Sequence, residues 1–169
     1  MIKKVLFDMD GTIAQFYENK ECLEEMYSGT YFKYLTPYGN VLMAAKMLIE
    51  NGYEVGIISA CVTEKSKEEK LFWLHYYLPE IKSENILFCD FGADKAKKYT
   101  AHGGELSHTI LVDDYTKNLV EWETAGGISV KLRNELNGTN GTWKKRSINY
   151  KDSPEDIYHY LADTIWSIS

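Results

Sequence analysis

The chain predicts an α/β fold: a parallel sheet ordered 3-2-1-4-5, helices on its faces, and a small insertion after the first strand. Three observations carry this. Short apolar runs of strand length alternate with longer stretches of helical period. The clearest runs stop abruptly in polar residues, as strands do at the carboxyl edge of such sheets, where ligands bind. The length, 169 residues of which 44% are hydrophobic, suits one ordinary globular domain over residues 1–169 with a substantial core.

The first strand is expected over residues 2–7 and ends in Asp8-Met9-Asp10-Gly11-Thr12. Asp8 and Asp10 are two apart, so in extended chain their side chains point the same way. Like charges that close repel unless a cation or proton lies between them. A hard divalent ion, Mg²⁺, suits such oxygen ligands. Gly11 lets the backbone turn sharply and brings amides close to an anion.

Residues 14–36 form the insertion, rich in aromatics: Phe16, Tyr17, Tyr27, Tyr31, Phe32 and Tyr34. A short helix is expected over 19–27, stopped by Ser28-Gly29-Thr30. Most of these rings are expected to pack the insertion onto the core. Phe16 and Tyr17, nearest the acidic motif, are the candidates for stacking on a substrate ring. Thr36-Pro37 then reads as a helix start, with Val41, Ala44, Ala45 and Leu48 at helical spacing and Asn51-Gly52 as the stop.

The second strand, 54–59, contains Val55-Gly56-Ile57-Ile58 and closes on Ser59-Ala60. The Ser59 hydroxyl and the following amide are suited to donate to phosphate oxygens; a cap or turn role is the alternative. A helix follows over 63–77, polar through Lys70, apolar at Leu71, Leu74 and Leu78, and closed by Pro79. Ile86-Leu87-Phe88-Cys89 is a third strand, and Asp94-Lys95 opens another helix that also carries Lys97 and Lys98. The fourth strand, Thr109-Ile110-Leu111-Val112, runs into Asp113-Asp114. Two acids there suit a helix cap, but a second acidic strand end can converge with the first at the switch point of the sheet.

A helix is expected through 115–122 and a fifth strand over 128–132. Asn137-Gly138 and Asn140-Gly141 signal turns, and residues 143–150 show no clear period. Ser153-Pro154-Glu155-Asp156 starts a last helix with Ile157, Leu161, Ile165 and Ile168 on one face.

Net charge is −6, which argues against long-range attraction to nucleic acid or anionic membrane. No stretch approaches the length of a membrane span. Met1-Ile2-Lys3-Lys4 leads into an apolar run too short for a signal peptide. Cys22, Cys61 and Cys89 are odd in number and lack metal-type spacing, so free thiols in a reducing, cytoplasmic setting are expected. Cys61 reads as structural, and His75, His102, His108 and His159 as surface or satisfied core residues.

The run Asp8-Met9-Asp10-Gly11-Thr12 resembles the first motif of the haloacid dehalogenase (HAD) superfamily of phosphohydrolases. The strand closing on Ser59 matches its second motif, and Asp113-Asp114 its acidic fourth. Lys95 is the best match to the third-motif lysine, with Lys97 and Lys98 as competitors. The four matches run in the family's order from Asp8 to Asp114. Asp113-Asp114-Tyr115-Thr116-Lys117-Asn118-Leu119, with Glu121-Trp122, Gly126-Gly127 and the stretch from Asn137-Gly138 to Trp143, is similar to the bacterial and phage 5′(3′)-deoxyribonucleotidases (cytosolic type C). The insertion is shorter than the helical cap of well-known deoxyribonucleotidases.

The resemblance implies a Rossmann-like fold with a small cap at about 14–36. It implies Asp8 as nucleophile and Asp10 as general acid and base. Mg²⁺ would be held by Asp8, the Asp10 carbonyl and Asp113, with Asp114 bound directly or through water. Ser59, Ala60 and Lys95 would bind phosphate. The substrate implied is a small phosphomonoester, a (deoxy)nucleoside monophosphate. A sugar phosphate, a nucleic-acid end, or a non-hydrolytic phospho-aspartate module are the alternatives. Monomer and homodimer are both open.

Overall fold

The first described strand stands inside the sheet. In the computed structural model, which describes residues 4–16, 20–137 and 141–167 (20–23 by backbone alone), β1 (Lys4–Phe7) lies between β2 (Glu54–Cys61) and β4 (Thr109–Asp113). Outside these lie β3 (Ile86–Asp90) on one side, and β5 (Ile128–Arg133) and β6 (Ser147–Asn149) on the other. The order is β3-β2-β1-β4-β5-β6, and every pair is parallel. Val5 faces Val55 on one side and Ile110 on the other; Phe7 faces Ile57 and Val112. This register brings the carboxyl ends of β1, β2 and β4 to one edge.

Alternation along the strands divides the core in two. Val5, Phe7, Ile57, Ile110, Val112, Val130 and Leu132 point to one face. There they meet α2 (Gly39–Glu50), α3 (Glu64–Tyr77) and α6 (Pro154–Trp166) through residues such as Ala44, Leu48, Trp73, Leu161 and Ile165. Leu6, Ile58 and Leu111 point the other way, onto α4 (Lys95–Ala101) and α5 (Thr116–Thr124), where Ala96, Tyr99 and Trp122 cover them. A sheet covered on both faces explains why its strands read as unbroken apolar runs.

Local chemistry sets the helix starts. Thr63 caps α3: its side chain accepts from the Ser66 amide, and the Ser66 side chain accepts from the Thr63 amide. Asp94 accepts from the Lys97 amide at the start of α4, and Ser153 from the Asp156 amide at the start of α6. The insertion contains α1 (Lys20–Ser28), ended by Gly29 at φ +84°, and a single 3₁₀ turn at Phe32–Tyr34. Its Met26, Tyr31, Phe32 and Leu35 are buried in the larger core, and the Trp73 indole of α3 donates to the Leu35 carbonyl at 2.7 Å.

Two expectations need correction. Helix α2 begins at Gly39, not at Thr36-Pro37. Pro37 instead bridges Ala14 in antiparallel fashion, the Thr36 carbonyl accepts from the Gln15 amide, and the Tyr38 amide reaches the Ile13 carbonyl. The extended φ that suits proline to a first helical turn serves equally in that short ladder. The sheet also has a sixth strand. β6 pairs Ser147, Ile148 and Asn149 with Lys131, Leu132 and Arg133. With three residues and one fully buried side chain, Ile148, it is too short to show a period. Met1 to Lys3, Gly138, Asn140 and Ile168 lie outside the described residues. No helix among the described residues is long and apolar enough to cross a membrane.

Candidate active site

The site starts from the tight loop that follows β1. The Asp8 amide continues the ladder onto the Val112 carbonyl at 2.9 Å. The Met9 carbonyl then accepts the amides of Thr12, Ile13 and Ala14, and the Gly11 amide reaches the Ala14 carbonyl. The chain makes this turn with Gly11 at φ +76°, a conformation that costs other residues energy. Gly11 is needed for space as well, because a Cβ there would run into the Asp114 carboxylate.

Asp113 is the last residue of β4, beside β1, and is fully buried. Its Oδ1 accepts the Tyr115 amide at 2.8 Å, and its Oδ2 the Asn118 side chain at 2.9 Å. Lys95 enters from the start of α4 and donates to Asp8 Oδ1 and to Asp113 Oδ2, both at 2.7 Å. The three candidate lysines thus separate: Lys95 is 3% exposed and holds both carboxylates, while Lys97 is exposed and pairs with Asp94 on its own helix. Lys98 is half-buried on the last turn of α4.

Asp8, Asp113 and Asp114 each offer an oxygen, and these oxygens lie within 4.8 Å of one another. The Asp10 carboxylate is not part of this group. It is turned to the Lys70 ammonium, which also donates to Ser59 Oγ at 3.1 Å and to the Ala60 carbonyl at 2.5 Å. The other carboxylate oxygen, Asp10 Oδ1, is buried and has no hydrogen-bond partner among the described residues. Ser59 is fully buried at the end of β2, on the same edge as Asp8.

The residues present fit a hard divalent ion. Four carboxylates, Asp8, Asp10, Asp113 and Asp114, face two ammonium groups, Lys70 and Lys95. A third buried ammonium, Lys131, interacts with Asp114 and Asp113, so with all groups ionised the site still carries excess negative charge, which a divalent cation would offset. Without one, burial dominates and raises the pKa of Asp10, Asp113 and Asp114. For Asp114 the neighbouring Asp113 and Asp8 push further in the same direction. Burial alone would lower the Lys95 ammonium, but Asp113 and Asp8 beside it outweigh that and hold it above its ordinary value. An all-oxygen donor set with raised carboxylates is the chemistry Mg²⁺ takes up.

The sequence reading missed two residues of the site. Lys70 is fully buried, yet it stands in the polar half of α3, where lysines usually mark a solvated face. Asn134, after β5, donates to the Gly11 carbonyl at 2.7 Å and to Asp114 Oδ2 at 3.2 Å, while its own Oδ1 accepts the amides of Leu136 and Asn137. The Asn137-Gly138 turn signal pointed to this loop but not to its contact.

Phe16 is half-buried and packs edge-on against Tyr31, with ring centroids 6.0 Å apart. Tyr17 lies outside the described residues. Burial pushes the Cys61 thiol up to about 11, which disfavours the thiolate that a nucleophile needs.

No protein-family model matches the chain, and no curated protein matches it. Solved structures do. D,D-heptose 1,7-bisphosphate phosphatase from Burkholderia thailandensis is similar, with a TM-score of 0.61 and 16% identity over 96% of this chain and 98% of that one. A dehalogenase captured as an intermediate complex gives a TM-score of 0.68 at 13% identity, over 95% and 97%. A HAD family hydrolase from Deinococcus radiodurans R1, with bound phosphate and sodium, gives 0.65 at 11% identity, covering 96% of each chain. Identities this low establish the fold: the chain has the α/β, Rossmann-like architecture of the HAD hydrolases.

Proposed function

We propose that the chain is a Mg²⁺-dependent phosphomonoesterase that works through an aspartyl phosphate on Asp8. The observation that carries this is the division of labour among the acids. Asp8, Asp113 and Asp114 gather within 4.8 Å as an oxygen cage, while Asp10 is held apart with one buried oxygen unpartnered among the described residues. A mere phosphate-accepting module needs the cage alone; a hydrolase also needs a proton carrier. The phosphatases and hydrolases among the structural neighbours favour the same reading.

In this mechanism Asp8 Oδ attacks phosphorus, and the bond from phosphorus to the ester oxygen breaks. Asp10, whose raised pKa suits a carboxyl that carries a proton, delivers it to the departing oxygen. Asp10 then takes a proton from water, which attacks the acyl phosphate, releasing inorganic phosphate and freeing Asp8. Lys95 has two ammonium hydrogens committed to Asp8 and Asp113, leaving the third for a phosphoryl oxygen. The Ser59 oxygen accepts from Lys70 and keeps its own hydrogen to donate, and the Ala60 amide adds a further donor. Asp8, Asp113 and Asp114 would hold Mg²⁺, which when bound offsets the repulsion between carboxylate and phosphate.

The finer reading is a (deoxy)nucleoside monophosphate substrate, as in the 5′(3′)-deoxyribonucleotidases. It rests on the similarity of the stretch from Asp113 to Trp122, with Phe16 as the candidate ring for stacking on a base. The free thiols Cys61 and Cys89 favour a reducing, cytoplasmic setting.

The first test is hydrolysis of p-nitrophenyl phosphate with Mg²⁺ and with EDTA, followed by deoxynucleoside 5′- and 3′-monophosphates against sugar phosphates. Metal-dependent turnover is expected, fastest with the deoxynucleotides. A preference for sugar phosphates would overturn the nucleotide assignment but leave the chemistry. Asp8→Asn should lower turnover by about 10³-fold or more. Substantial activity remaining in that variant would exclude Asp8 as the attacking group.

A further inference from the structure

Lys70 belongs to none of the four motifs, yet its side chain is 0% exposed. Its ammonium donates to Asp10 Oδ2, Ser59 Oγ and the Ala60 carbonyl. An ammonium has three hydrogens, so all of them are committed. Lys95, with one hydrogen to spare, is equipped to hold phosphate; Lys70 would first have to release a partner.

The surroundings of Lys70 are built to keep it there. The Phe32 ring of the insertion lies over the ammonium, 4.5 Å from nitrogen to centroid, an attractive arrangement in a desolvated place. The neighbouring residue on α3, Glu69, accepts the Tyr31 and Phe32 amides on one oxygen, at 3.2 and 3.1 Å. One turn of α3 therefore fastens the insertion and grips Asp10. That grip takes Oδ2 and leaves Oδ1 buried without a partner among the described residues.

We propose that Lys70 is the positioning residue of Asp10: by clamping Oδ2 it fixes the orientation of the carboxyl group towards the ester oxygen and then towards the attacking water. This rests on the phosphohydrolase reading above and adds a residue to it.

The test uses p-nitrophenyl phosphate, because nitrophenolate leaves without needing a proton. Formation of the aspartyl phosphate from it is insensitive to Asp10, whereas its breakdown needs Asp10 as base. In Lys70→Met, which keeps the length of the side chain, a burst of one nitrophenolate per site is expected. Turnover should then be about 10²-fold slower, with KM falling alongside kcat as the covalent form accumulates. In an Asp10→Asn background the same change should cost less than about threefold further, because Lys70 acts through Asp10.

A lost burst, independent losses in the double variant, or unchanged turnover in Lys70→Met would each overturn the proposal. Lys70→Gln carries the same expectations should the methionine variant not fold. Beryllium fluoride with Mg²⁺, followed by fluorine NMR, separates the two readings. The unaltered protein and Lys70→Met should both bind it at Asp8. Uptake by the unaltered protein alone would sink the positioning role. Absence of both uptake and hydrolysis in the unaltered protein would sink the phosphohydrolase reading and this proposal with it.

Discussion

A Cβ at residue 11 would occupy the space of the Asp114 carboxylate, so the smallest residue of the site fixes one of its largest charges. Gly11→Ala combines that collision with a left-handed φ of +76°. It is expected to destabilise the fold by about 1–3 kcal/mol and to weaken Mg²⁺ binding, as read by urea unfolding and by metal titration. Unchanged stability and affinity would mean the close approach is not there. Residues of this kind were legible beforehand because their signals are local. Asp8, Asp10, Ser59 and Asp113 all stand where an apolar run stops, and Asp94 marks Lys95 as a helix start. Lys70 and Asn134 were not, because burial is decided by distant chain. Nothing in Glu64-Lys65-Ser66-Lys67-Glu68-Glu69-Lys70 separates the buried Lys70 from the exposed Lys65 and half-buried Lys67; only the arrival of Phe32 and Asp10 does.

Helix α3 joins the insertion to the chemistry, and Glu69 is the joint. Its Oε2 satisfies the buried amides of Tyr31 and Phe32. Glu69→Ala would remove that acceptor and leave the Phe32 amide unpaired, at a cost of about 1–3 kcal/mol. Amide exchange at Phe32 is expected to speed up at least tenfold, while the β1 amides keep their protection; equal loosening of both would show that the insertion is not a separately fastened unit. The insertion's helix was readable from its glycine stop, and α6 from its proline and serine cap. The start of α2 and the strand β6 were not. Pro37 suits a short bridge to Ala14 as well as it suits a helix, and one buried residue, Ile148, makes no pattern.

Across the whole molecule, the acids of the site make stability depend on pH and metal together. Asp10, Asp113 and Asp114 have pKa values raised above the ordinary 3.8, so the folded state binds their protons more tightly than the unfolded chain does. That contribution is fully present below the ordinary value and is lost as pH rises through the raised ones. Mg²⁺ competes with those protons, so its stabilising increment should grow with pH. The melting temperature with Mg²⁺, minus that with EDTA, is expected to be larger at about pH 7.5 than at about pH 5. An increment independent of pH would mean that the ion is held elsewhere.

The strand order carries one more consequence. β1 precedes the other described strands in the chain and lies inside the finished sheet, with neighbours that begin only at Glu54 and Thr109. A nascent polypeptide therefore carries Asp8 on an apolar ribbon with one flank bare until β4 emerges. Partial chains lacking β4 offer that ribbon to chaperones or to one another, and the acidic group of Asp8, Asp113 and Asp114 can gather only once β4 has been made.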